Sequence, residues 1–200
     1  MQLTGFPSAP PEACVSACLQ AVRRLGPTHE PNRIVIDSAD YQCEVNVLDE
    51  FRDFAFSWVS GRPTDRVPEY LRDHMSEPGC DSIVWLSRKA IDLPSPHFLW
   101  VVAHELRHVF QSRTQWPEEQ TRQATRELRR EAEFRSMTPS IFGPDELDAE
   151  LCALHVVAAE LGNEERDYLL FGSVFPRYPN PVYGRFLMRL AEKLNAPFTQ

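Results

Sequence analysis

Residues 95–111 read SPHFLWVVAHELRHVFQ, and this stretch determines most of what the sequence predicts about fold and chemistry. Ser95 followed by Pro96 is a typical helix start, because serine caps the first turn and proline is preorganised for the first helical position. Strongly apolar residues follow, from Phe98 to Val102. The stretch therefore predicts a helix from Ser95 to about Gln111 whose first half is buried.

The second half of this helix contains His104-Glu105-Leu106-Arg107-His108, which has the HExxH spacing. Residues four apart lie on one helix face, so both imidazoles can reach one metal ion, and zinc accepts imidazole nitrogens at about 2.0–2.1 Å. Glu105 is placed to take a proton from the metal's water and to deliver it to a leaving group. The alternative is an ordinary histidine pair that binds no metal. The apolar residues from Phe98 to Val102 argue against it, because they predict a buried helix and buried polar groups need partners. We expect one Zn²⁺ per chain, with His104 and His108 as ligands and Glu105 as the catalytic residue.

A third zinc ligand is expected from residues 146–153, which read ELDAELCA. Glu146 and Glu150 lie one helical turn apart, beside a leucine stripe that faces the core. Glu146 is the expected ligand, and Glu150 is expected to accept a hydrogen bond from the second nitrogen of a ligand histidine. Direct ligation by Glu150, Asp148 or His155 stays open.

Other residues near the predicted site carry weaker signals. Tyr178, in a proline-rich loop, is a candidate donor to the oxyanion of the transition state, with ordinary packing as the alternative. His29, His74 and His97 lack partners at metal-binding spacing, which favours surface or loop positions for them.

The rest of the chain predicts an α+β fold. Runs with alternating apolar residues precede the motif and predict an antiparallel or mixed sheet, whereas helical periodicity dominates after it. The charged segment 118–135 predicts a solvated helix with a thin apolar stripe, outside the main core. The predicted strands are at about 34–36, 43–47, 54–58 and 82–87, and the further helices are at about 12–25, 68–75, 144–161 and 182–194.

We expect a single domain over residues 1–200. Its sheet-rich part covers about 30–90, its active-site and ligand helices about 96–161, and its helical tail 164–200.

Composition narrows the classes of partner and the compartment. The chain has 200 residues, with 21 basic and 29 acidic side chains and a formal net charge of −8, which argues against binding nucleic acid or an anionic membrane. The N-terminal sequence lacks the features of a secretion signal, and no apolar stretch approaches the roughly 20 residues of a membrane span, so a cytoplasmic protein is expected. The five cysteines, at scattered positions, predict free thiols and no disulfide framework.

Residues 81–160 resemble the gluzincin branch of HExxH metallopeptidases, in particular the ImmA/IrrE-type peptidases and other small gluzincins. The resemblance rests on His104-Glu105-Leu106-Arg107-His108 and the later Glu146 with its ExxA spacing. It implies a zincin-like fold, with Glu146 as zinc ligand and Glu150 as a supporting residue. It also implies that the strand 82–87 is a sheet edge that holds an extended substrate by strand addition.

The function expected from these features is hydrolysis of peptide bonds in a polypeptide substrate by zinc-activated water, with Glu105 as base and then acid. One alternative is a zinc-binding regulatory or interaction module of peptidase fold with little or no activity. A zinc hydrolase that acts on a non-peptide amide is a third. The substrate and the oligomeric state are not predicted.

Overall fold

The computed structural model describes residues 1–39, 54–61, 69–135, 143–172 and 181–195. These residues form two compact units, Met1–Arg113 and Thr114–Gln200. The first contains the sheet and the second is helical, so the predicted α+β class is confirmed. Among the described helices, none has both the length and the apolarity needed to cross a membrane.

The first unit contains a mixed four-stranded sheet in the order β1-β2-β4-β3. The first strand pairs with β2 and β2 pairs with β4 in parallel, whereas β3 runs antiparallel to β4. An all-antiparallel sheet is thereby excluded for the described strands, and the mixed alternative is confirmed. The strands are β1 Gln2–Phe6, β2 Arg33–Asp37, β3 Ala55–Val59 and β4 Ser82–Leu86.

The central position of β4 corrects one expectation. All five residues of β4 are buried, as are all five of β2, and each of these strands has a neighbouring strand on both sides. The expected sheet edge at 82–87 is therefore wrong, since the edges of the described sheet are β1 and β3. The predicted strand at 43–47 lies outside the described residues.

The described part of the first unit contains four α-helices, α1 Glu12–Leu25, α2 Glu69–Met75, α3 Arg88–Ile91 and α4 Ser95–Arg113, and a 3-10 turn, Pro27–His29. The predicted bounds of α1 are confirmed, because Pro11 precedes the helix and Gly26, with φ 83°, ends it. The HExxH helix, α4, packs against α1, β3 and β4. Its residues Phe98 to Ala103 are all at most 8% exposed, which fixes the half of the helix that precedes the motif.

One face of the sheet carries a cluster formed by Val35, Trp58, Ile83 and Trp85 with Leu71 of α2.

Two of the described cysteines, Cys14 and Cys18, are buried free thiols on α1, as expected from the odd cysteine count. Burial raises the pKa of Cys18, so its sulfur is protonated and inert. Cys80 and Cys152 are partly buried thiols that belong to no disulfide.

The second unit contains α5 Glu118–Leu128, α6 Pro144–Leu161, α7 Asn163–Asp167, a π-helical turn Tyr168–Gly172 and α8 Pro181–Lys193. The bounds of α6 agree with the prediction, since Pro144 opens the helix and Gly162, with φ 105°, closes it. Both α5 and α6 pack against α8.

The charged segment 118–135 is more closely integrated than expected. Its helix ends at Leu128, which is fully buried, and Phe134 beyond it lies against Phe186 of α8 with ring centroids 5.4 Å apart. On the outside, Lys193 of α8 donates to Glu127 at 2.9 Å. The expectation that this segment stands outside a core is therefore wrong: its thin apolar stripe belongs to the core of the second unit.

Candidate metal centre

The two motif histidines converge on one point. His104 Nε2 and His108 Nε2 lie 3.1 Å apart, and the two rings meet edge to face at 78° with centroids separated by 4.8 Å. Two nitrogens that each lie about 2.0–2.1 Å from one zinc ion, at near-tetrahedral angles, are about 3.1–3.4 Å apart. The separation of the two Nε2 atoms therefore fits a metal ion held by both histidines.

His108 is oriented by a residue that the sequence analysis did not single out. Gln111 Oε1 lies 2.8 Å from His108 Nδ1, three residues further along α4. Gln111 is 8% exposed, so water competes little for this contact. With Nδ1–H donating to the amide oxygen, His108 Nε2 keeps its lone pair for a metal.

The imidazole of His104 is oriented by a packing contact with Trp100. The ring of Trp100, one helical turn earlier, has its centroid 5.3 Å from that of His104. Trp100 is itself 8% exposed and belongs to the buried half of α4. Trp100 lies four residues before His104, and Gln111 lies three residues after His108. These helical spacings are the sequence signals from which both contacts could have been predicted.

Glu105 is half-buried on α4, directly after His104. Successive helical residues are about 100° apart around the axis, which places Glu105 on the flank of the histidine face. That placement suits a residue that exchanges protons with a group at the metal without itself occupying a ligand position.

The acidic candidates lie on α6. Glu146 is half-buried in the first turn of that helix, and Glu150, one turn later, is 7% exposed. A carboxylate as buried as that of Glu150 requires polar partners, which suits a supporting role.

Of the three expected ligands, His104 and His108 belong to the first unit and Glu146 belongs to the second. Each offers one donor atom that a metal can bind, an imidazole nitrogen or a carboxylate oxygen. Ligation by Glu146 stays a prediction, with Asp148, Glu150 and His155 as the alternatives. Tyr178 lies outside the described residues, so its role stays a prediction.

A second histidine cluster lies on another side of α4. His29 is 6% exposed and stacks on Phe110, with ring centroids 4.4 Å apart, while Arg107 Nη1 lies 3.2 Å from His29 Nε2. Arginine can only donate, so His29 Nε2 is the acceptor in this contact. His29 lies in the short 3-10 turn Pro27–His29 between α1 and β2, so the expected loop position is confirmed, whereas a surface position is wrong because its ring is buried against the motif helix.

The two remaining histidines differ from each other. His97 is 5% exposed in the first turn of α4, so it is a buried helical residue and the surface expectation is wrong for it too. His74 is half-buried and contacts Arg33 and Glu77.

Comparisons of the chain with protein-family models, with curated proteins and with solved structures found no significant match.

Proposed function

We propose that this chain is a zinc-dependent peptidase of zincin-like fold that holds one Zn²⁺ through His104, His108 and Glu146. The observation that carries the proposal is the 3.1 Å separation of the two Nε2 atoms on α4, together with the Gln111 contact that leaves His108 Nε2 as an acceptor. Glu146, half-buried in the first turn of α6, is proposed as the third ligand, because three protein ligands are the usual set for catalytic zinc.

The chain's own contribution to hydrolysis is assigned chiefly to Glu105. When bound at such a site, zinc lowers the pKa of its water and polarises a substrate carbonyl. Glu105 accepts the proton that leaves the attacking water and then donates it to the amine of the departing fragment. Its half-buried position suits both exchanges, because a carboxylate there is partly shielded from bulk water.

In this proposal Glu150 supports His104 and not His108. Gln111 already accepts the Nδ1 proton of His108, which leaves His104 as the ligand histidine for Glu150 to hold. A carboxylate acceptor makes an imidazole a stronger metal ligand, so Glu150 is expected to strengthen the bond from His104.

The proposal is tested with the Glu105→Gln variant, which keeps the shape of the side chain and removes its basicity. The native protein and the variant are loaded with zinc, analysed for metal by elemental analysis, and incubated with denatured protein substrates whose fragments are identified by mass spectrometry. We expect about one zinc per chain in both proteins and cleavage by the native protein alone. The matched control is Glu164→Gln, at an exposed position on α7, which should cleave as the native protein does.

Two results would count against the proposal. Fragments produced equally by Glu105→Gln would remove Glu105 from the reaction. A native protein that binds zinc, forms stable complexes with polypeptides and cleaves none of them would favour the regulatory or interaction module.

A further inference from the structure

We propose that Gln111 is a positioning residue that selects the tautomer of His108 and thereby sets the zinc affinity of the site. This inference rests on the proposed function, because it concerns how the same three-ligand site is prepared. It is carried by the part-buried contact between Gln111 Oε1 and His108 Nδ1 at 2.8 Å, in the second half of α4, to which Gln111 contributes a buried side chain.

The argument starts from the proton count of a neutral imidazole. Such a ring has one N–H, and its other nitrogen carries the lone pair that binds a metal. If the amide oxygen of Gln111 faces His108, the proton stays on Nδ1 and the Nε2 lone pair points toward His104 Nε2, 3.1 Å away. If the amide were reversed, its N–H would donate to Nδ1, the proton would move to Nε2, and that nitrogen could not ligate.

The same contact fixes the direction of the ring. Residues three apart on a helix are neighbours, so the side chain of Gln111 spans the gap to His108 without distorting the backbone. Its burial at 8% exposure restricts the amide to few conformations, and the imidazole held by it loses little further freedom when a metal binds.

An amide at this position differs chemically from the carboxylate that often holds a ligand histidine. It fixes the tautomer without adding a negative charge, so it makes the imidazole a weaker donor than a carboxylate would. The native residue therefore gives a site of intermediate affinity, between an apolar replacement and an acidic one.

The test measures apparent zinc Kd values at one pH by competition with a chromophoric chelator. Gln111→Met keeps the length of the side chain and removes the acceptor, and it should weaken zinc binding by about 10–100-fold. Gln111→Glu restores an acceptor and should bind zinc at least as tightly as the native protein. Gln123→Met, at an exposed position on α5, is the matched control and should leave the Kd unchanged.

Metal geometry gives a second readout. Cobalt(II) in the native site should show visible absorption typical of tetrahedral coordination, and Gln111→Met should alter this spectrum while Gln111→Glu preserves it. Equal zinc affinities and equal cobalt spectra for the native protein and Gln111→Met would overturn the inference.

A measurement on the native protein alone covers the case in which Gln111→Met does not fold. Nitrogen-15 NMR of the imidazoles in the metal-free protein reports which nitrogen of His108 carries the proton. A proton on Nδ1 supports the inference, and a proton on Nε2 overturns it. This result is independent of the proposed function, whose own failure would appear as an absence of zinc from the native protein.

Discussion

Arg113 Nη2 donates to Asp81 Oδ1 at 2.5 Å, which joins the last residue of α4 to the residue just before β4. The same guanidinium donates to Ser82 Oγ and to the carbonyl of Glu30, both at 2.6 Å. These bonds tie the C-terminal end of the motif helix to the loops at one end of the sheet. They also place a cation at the negative end of the helix dipole, where it is stabilising.

This ion pair predicts a pH-dependent contribution to stability. The hydrogen bond from Arg113 is the main cause that lowers the pKa of Asp81. A carboxyl group with a lower pKa in the folded chain stabilises it above the ordinary aspartate pKa of about 3.9, and the stabilisation is lost as the pH falls through the folded pKa. Arg113→Gln should therefore lower the free energy of unfolding by about 1 kcal/mol at pH 7, a small value because the Asp81 side chain is 58% exposed.

Urea unfolding at pH 7 and at pH 3 measures this difference. It should shrink as the pH falls below the ordinary aspartate pKa of about 3.9 and through the lower pKa of folded Asp81, because protonation removes the ion pair. A difference of equal size at both values would show that Arg113 acts through its bonds to Ser82 and Glu30 instead.

Local signals in the sequence predict the helices well. The starts and ends of α1 and α6 are set by proline and glycine at their boundaries, which act within a few residues. The HExxH pair is likewise a local feature, since both histidines belong to one helix. Such features require no knowledge of how distant segments meet.

The order of the strands depends on distant segments and was not predicted. Nothing in Ser82–Leu86 indicates whether a second strand covers its free side, and β1 is a short, half-exposed strand without clear alternation. The burial of His29 could not be predicted for the same reason, because it depends on stacking with Phe110, which is far away in the sequence. Gln111 could have been found by its spacing, but a single glutamine after HExxH carries no signal unless the helix face is considered.

Zinc content should separate the two acidic candidates on α6. If Glu146 is the third ligand, Glu146→Ala should lose most of its zinc during dialysis against a weak chelator. Glu150→Ala should keep about one zinc per chain with an affinity lowered by about 10–100-fold, because it affects only the support of a ligand. Elemental analysis of protein purified without an affinity metal gives both values, and full retention of zinc by Glu146→Ala would transfer the ligand role elsewhere.

A stability prediction concerns the second unit, where α8 approaches the π-helical turn closely at Gly184. A Cβ added at Gly184 would lie 2.7 Å from the carbonyl oxygen of Leu170 and 2.5 Å from the ring of Phe171. Alanine normally favours a helix over glycine by about 1 kcal/mol, but the clash with backbone outweighs that gain. We expect Gly184→Ala to reduce the free energy of unfolding by about 1–3 kcal/mol.

Denaturant unfolding of the variant checks this value. Gly79→Ala is a useful comparison, because Gly79 has φ 83° and open space around an added Cβ, so it reports the cost of backbone strain alone. An increase in stability for Gly184→Ala would mean that α8 and the π-helical turn separate easily.

The burial of Phe98 to Ala103 has a consequence for how metal and folding are related. The two imidazoles lie on a helix whose conformation is fixed by its hydrophobic half. The entropy cost of ordering the two side chains is therefore largely met when the chain folds, before a metal ion binds. We therefore expect the chain to be folded without metal, unlike zinc fingers, which are unfolded without it. Chelation should leave the far-ultraviolet circular dichroism nearly unchanged, and re-addition of zinc should restore the loaded form without refolding. Zinc supply would then act as a reversible control on a structure that is already assembled.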